Sequence, residues 1–66
     1  MTITINGQPR EVQEGTSVSQ LLETLKILPE RVVVEVNVTI LKRAEHPARI
    51  LREGDRVEIV QFVGGG

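Results

Sequence analysis

Sixty-six residues allow a single domain, and a chain this short buries only ~60% of the surface that its unfolded form exposes, so its core is thin. There is no cysteine and one histidine, which excludes a disulfide scaffold and leaves His46 unable to build a metal site alone. A net charge of −1, with both signs mixed along the chain and no basic stripe interleaved with aromatics, argues against nucleic acid as a partner.

"TITI" alternates β-branched residues and meets Asn6-Gly7, a strong hairpin signal because both residues tolerate the positive φ of a type I′ turn. "QPREVQ" returns as the second strand, with Pro9 acceptable on an edge. Ile3 and Ile5 are expected on one face, joined by Val12. Val18, Leu21, Leu22 and Leu25 then follow the i, i+3, i+4, i+7 template of an amphipathic helix. Ser17 and Gln20 form a capping-box pattern at its start, and Pro29 is expected to stop it. The apolar stripe is read as core-facing rather than partner-binding, because no other helix is available to cover the sheet.

"RVVVEVNV" reads as a strand, and "TILKR" as a short one paired with it across an Asn37–Val38 turn. "AEHPARIL" is irregular, with room for one helical turn before Pro47. A turn at Gly54–Asp55 leads into the last strand, "RVEIVQFV". The order β, β, α, β, short β, β describes an α+β domain, a mixed sheet wrapped over one helix. Leu21, Leu22 and Leu25 are expected to pack on Ile3, Ile5, Val34, Val36, Val57 and Ile59. The expected boundaries are a folded unit over 1–63 and a flexible glycine tail over 64–66. No stretch approaches the ~20 apolar residues that span a bilayer, and "MTITING" has neither the basic start nor the apolar run of a secretory signal. The expectation is a soluble, cytoplasmic protein, monomeric when free, with no membrane partner.

The sequence given finishes "QFVGGG". Taken alone, glycines at an end are frayed or inert. A phosphate-cradling loop would need a helix after it, and a linker would need something to link. The functional reading is geometric. A chain without β-carbons enters a narrow slot, and three extended residues reach about 10 Å. Its cargo would be the Gly66 α-carboxylate, which is ionised and unreactive at neutral pH until a partner adenylylates it with ATP. A sulfur nucleophile could then displace AMP and leave a thiocarboxylate. The sequence contains no cysteine to carry sulfur and no nucleophile–base pair, metal cluster or nucleotide loop to run this chemistry, so the chain reads as a carrier and not an enzyme, without a cofactor of its own.

The strand–helix order, the length, "EGTSVSQLL", "EVN", "EGDRVEIVQFV" and the terminal Gly65-Gly66 together resemble the ThiS sulfur-carrier family of thiamin biosynthesis, over essentially the whole chain. The resemblance implies a ubiquitin-like β-grasp fold. It also implies adenylation of Gly66 by a ThiF-like activating enzyme, thiocarboxylation with sulfur from cysteine through a donor such as a cysteine desulfurase, and delivery to a ThiG-like thiazole synthase. Asn37-Val38-Thr39 departs from the family, where Asn is more often followed by Gly or Gln.

Alternation along the last strand turns Val57 and Ile59 inward, and Val60 and Phe62 outward. Val60, Phe62 and Val63 beside the Gly64–Gly66 tail are therefore candidate docking residues, unless sheet twist or the neighbouring loop covers them. Arg10, Arg31, Arg43, Arg49, Arg52 and Arg56 are expected to be solvated. His46 is expected in a loop without a chemical role, and Asp55 to serve its turn. Three other functions fit the same tail: a MoaD-like carrier for molybdopterin, a ubiquitin-like modifier linked to target lysines, and an interaction domain with an inert end.

Overall fold

The computed structural model describes residues 1–62. Strands β1 (Thr2–Ile5) and β2 (Gln8–Glu11) form the expected hairpin, with Asn6 and Gly7 at φ of 50° and 83°. Pro9 lies on β2, an edge strand of the sheet, where its missing N–H leaves no central ladder bond unmade.

Helix α1 (Val18–Thr24) opens with the capping box. The Gln20 N–H donates to Ser17 Oγ at 3.1 Å, and the Ser17 N–H donates to Gln20 Oε1 at 2.9 Å. Val18, Leu21 and Leu22 are buried and Leu25 packs at their margin. The helix does not run to Pro29. It reverses at Lys26, whose φ is 58°, with the Lys26 N–H donating to the Glu23 carbonyl at 3.0 Å and the Ile27 N–H to the Leu22 carbonyl at 2.9 Å. This is a Schellman ending. Its gain is packing, because the reversal returns Ile27 to the core margin. Pro29 instead opens a short 3-10 turn, Pro29–Arg31, where its fixed φ suits a first helical position.

Strands β3 (Val32–Val36) and β4 (Thr39–Leu41) pair antiparallel across Asn37 and Val38, and β5 (Arg56–Gln61) follows the 3-10 turn Arg43–Glu45. The five-stranded sheet has the order β2-β1-β5-β3-β4, with β1 parallel to β5 and the other neighbours antiparallel. Val34, Val36 and Val57 point inward, with Ile59 half-buried beside them, against α1. Leu51, in the loop before β5, closes the core with Val32. Each such buried aliphatic contributes ~1.5–3 kcal/mol of transfer free energy, which is how so small a core suffices. Among the described residues no helix is long and apolar enough to cross a membrane.

Candidate functional site

The chain leaves the sheet along β5, the central strand. Two neighbours hold it, β1 in parallel and β3 in a continuous antiparallel register from Val36↔Val57 to Val32↔Gln61. The ladder extends one step further, because the Phe62 N–H donates to the Arg31 carbonyl at 2.9 Å. The main chain is thus fixed as far as Phe62. Val63, Gly64, Gly65 and Gly66, and with them the boundary at 63/64, lie outside the described residues.

Val60 is 56% exposed and Phe62 is 57% exposed, as the alternation along the strand requires once Val57 and Ile59 turn inward. Val33 stands opposite Val60, and one step further Glu35 stands opposite Glu58, with Ile40 of β4 on the other side of Glu35. The outer face of the sheet beside the tail root is therefore aliphatic, with two carboxylates side by side. No part of the described chain covers Val60 or Phe62.

At the other end of β5 the polar residues are held firmly. The Asn37 Nδ2 donates to Asp55 Oδ1 at 2.9 Å, and the Arg56 N–H donates to Asn37 Oδ1 at 2.9 Å. The Arg52 N–H donates to Asp55 Oδ2 at 2.8 Å, and the Arg49 guanidinium pairs with the same oxygen at 3.3 Å. Burial alone would raise the Asp55 pKa, but the bonds from Asn37 and Arg52 and the Arg49 charge outweigh it and hold the carboxyl below its ordinary value. Asp55 does serve its turn, and it also ties that turn to the β3–β4 hairpin. Arg49, expected to be solvated, is half-buried in this pairing. The sequence signal was present in two short polar residues at turn positions, but their meeting across 18 positions could not be read from spacing.

His46 is the larger surprise. It ends the Arg43–Glu45 turn, is only 2% exposed, and its Nδ1 has no hydrogen-bond partner among the described residues. Burial first, and the Arg43 charge second, lower its pKa against the opposing pull of Glu45. A neutral imidazole packed without a bonded nucleophile is a core residue. Among the described residues no group of three or more His, Cys, Asp or Glu side chains is placed to hold a metal.

A five-stranded mixed sheet over one helix, with β5 as its central strand, defines the class as a β-grasp domain. The family model for the ThiS family matches residues 3–66, and the chain belongs to that family. The crystal structure of a thiamine biosynthesis protein (ThiS) from Geobacter metallireducens superposes with a TM-score of 0.87 at 40% identity, with 100% of each chain covered. The chain is 37% identical over 62 residues to the sulfur carrier protein ThiS of Thermus thermophilus, covering 94% of this chain and 95% of that protein. It is also 41% identical over 66 residues to a thiazole synthase of Magnetococcus marinus, covering 100% of this chain and 20% of that protein. The chain thus spans about a fifth of the length of the thiazole synthases that it matches.

Proposed function

We propose that this chain is a carrier that delivers sulfur as a thiocarboxylate on Gly66 for formation of the thiazole of thiamin. A ThiF-like enzyme would first activate the chain: a Gly66 carboxylate oxygen attacks the α-phosphorus of ATP, and pyrophosphate leaves. The outer sulfur of a persulfide on a donor such as a cysteine desulfurase then attacks the carbonyl carbon, and AMP departs with the bonding pair. A thiol cleaves the resulting acyl disulfide, leaving the thiocarboxylate on Gly66 and a disulfide between the thiol and the donor. ATP belongs to the activating partner, and this chain supplies only the electrophile and its presentation. The acceptor of the sulfur is a ThiG-like thiazole synthase. The occurrence of a segment similar to this whole chain within proteins named thiazole synthase supports that partnership.

The observation that carries the reading is the family match, which runs through residue 66 and so includes the glycines themselves. Geometry adds to it. A root held by the central strand, with exposed Val60 and Phe62 beside it, suits a partner that grips the domain and draws the tail into a slot. Val63 would extend that apolar contact, and Gly64 and Gly65 would occupy the slot.

Intact mass of the untagged protein, taken from thiamin-starved cells with fragmentation of the C-terminus, is the direct test. A fraction heavier by the sulfur–oxygen difference and localised to Gly66 is expected. Deletion of Gly66 is a second test, because it leaves a Gly-Gly end and shortens the reach by ~3.3–3.6 Å. That variant should keep its melting temperature and lose thiocarboxylation, and normal carrier activity in it would count against the proposal. Phe62→Ala should weaken binding to the activating enzyme by roughly tenfold while leaving the midpoint of unfolding within a few degrees. Stable conjugates to lysines in a lysate, with no thiocarboxylate, would transfer the assignment to a protein modifier.

A further inference from the structure

The core is not sealed at the C-terminal end of α1. A groove of about 390 Å³ opens there between the helix end, the β1–β2 turn and the last residues of β5. Its floor includes Ile5, Leu25, Ile27 and Ile59, aliphatics that are only partly buried where they pack on the core. Leu28 stands on its rim and is 54% exposed. Pockets that take ligands or peptide side chains have this size and an apolar lining.

Charge is distributed unevenly around it. The lining includes Lys26 and Arg31 and no carboxylate, and neither cation is in an ion pair among the described residues. Lys26 also stands where the backbone favours another residue. At φ 58° it occupies the position after the helix end that is ordinarily glycine. A cation there interacts favourably with the helix end, but it bears left-handed strain that glycine would not. The walls are set in advance. The Asn6 side chain accepts from the Ile59 N–H at 2.7 Å and donates to the Ile59 carbonyl at 3.2 Å, fixing the β1–β2 turn to β5. The groove also reaches the tail root, since its lining includes Gln61 and the same Arg31 whose carbonyl anchors Phe62.

From this geometry we infer that the groove receives an acidic, aliphatic-bearing segment of the adenylating enzyme, with Lys26 and Arg31 pairing to its carboxylates and Leu28 and Ile27 packing on its aliphatic side chain. The inference rests on the carrier reading for the identity of the partner. The chemistry of the segment comes from the groove alone: two cations without counter-ions over an apolar floor favour an anionic, apolar ligand and repel a basic one. The groove borders Gln61 at the end of β5, so a partner seated in it gains registration on the chain there as well as affinity.

The test uses the full chain, as wild type and as the K26Q/R31Q double variant. In the first arm, ¹⁵N-labelled protein is titrated with the peptide acetyl-Glu-Leu-Asp-Leu-Glu-amide. Shifts should concentrate at Ile27, Leu28, Arg31 and Gln61, with binding roughly three- to tenfold weaker in the double variant. In the second arm, ATP–pyrophosphate exchange by the ThiF-like enzyme should show a KM for the carrier raised by a similar factor, with kcat unchanged. Lys26→Gly should raise the melting temperature while weakening both interactions, a pairing that a purely structural lysine would not give. Absence of peptide shifts at the groove overturns the inference. So do equal shifts with inorganic phosphate, or concentration-dependent shifts at the groove without peptide, which would mark a second copy as its occupant. An unchanged KM in the double variant also overturns it. Failure of the wild type to support exchange overturns the carrier reading instead, and the peptide arm then decides the groove by itself.

Discussion

Val38 is held in a conformation that its side chain opposes. Its φ is 71° and it is 78% exposed, so no burial compensates a β-branched residue in the left-handed region. The turn forms because Asn37 determines it: that residue donates to Asp55, accepts from the Arg56 N–H, and gives its own N–H to the Arg56 carbonyl at 2.8 Å. Val38 follows wherever its neighbour is fixed. Left-handed geometry costs a non-glycine residue roughly 1–2 kcal/mol, and glycine's extra freedom when unfolded returns roughly 0.5–1 kcal/mol of that. Val38→Gly should therefore stabilise the domain by about 1 kcal/mol, visible as a rise of roughly 4–8 °C in melting temperature. A fall would mean that the valine makes a contact worth more than its strain. The sequence pointed to this turn through Asn37 and Val38, but not to its cost, because the strength of Asn37 depends on Asp55, distant in the chain.

At the scale of elements, the two hairpins and α1 were legible because each rests on a local pattern: Asn6-Gly7, the capping residues Ser17 and Gln20, and the alternation of Val32, Val34 and Val36. The end of α1 was not. Pro29 is the visible stop signal, yet the helix ends at Thr24, since a reversal at Lys26 returns Ile27 to the core margin and only tertiary packing rewards that. The outward side of β5 carries a conflict that only the register reveals. Glu35 and Glu58 stand directly opposite on neighbouring strands, and like charges in that arrangement destabilise. Glu58→Thr removes the repulsion and places a better strand former there. A gain of ~0.2–1 kcal/mol in urea unfolding is expected, larger at low salt than at high salt. Equal gains at both salt concentrations would assign the effect to strand propensity alone.

Taken whole, the molecule should lose stability in two stages on acidification. His46 has a lowered pKa when folded, so the unfolded chain binds more protons than the folded one as pH falls through about 6.5. Stability is full above that value and declines below it until the folded pKa is passed. Asp55 is likewise depressed, so its contribution is present above about pH 4 and is lost as pH falls further. Urea midpoints measured against pH should show both stages. His46→Gln should erase the upper one alone, and Asp55→Asn the lower one together with a loss at neutral pH. The fold class, the two hairpins and the outward exposure of Val60 and Phe62 were readable in the chain, because alternation and turn chemistry are local, whereas the pairing of β5 with β1 and β3 was not. The burial of His46, the Asn37–Asp55 link and the groove at Lys26 and Arg31 were not, because each arises where distant segments meet. The place of β5 has a last consequence, for the order of assembly. It is the last of the described strands to be synthesised, yet it lies between the other two pairs, which share no ladder without it. The β1–β2 and β3–β4 hairpins must wait as separate, incomplete pieces until residues 56–61 arrive and join them. Folding of this domain is thus a single late event, and a nascent chain lacking its last strand presents open edges to chaperones and proteases alike.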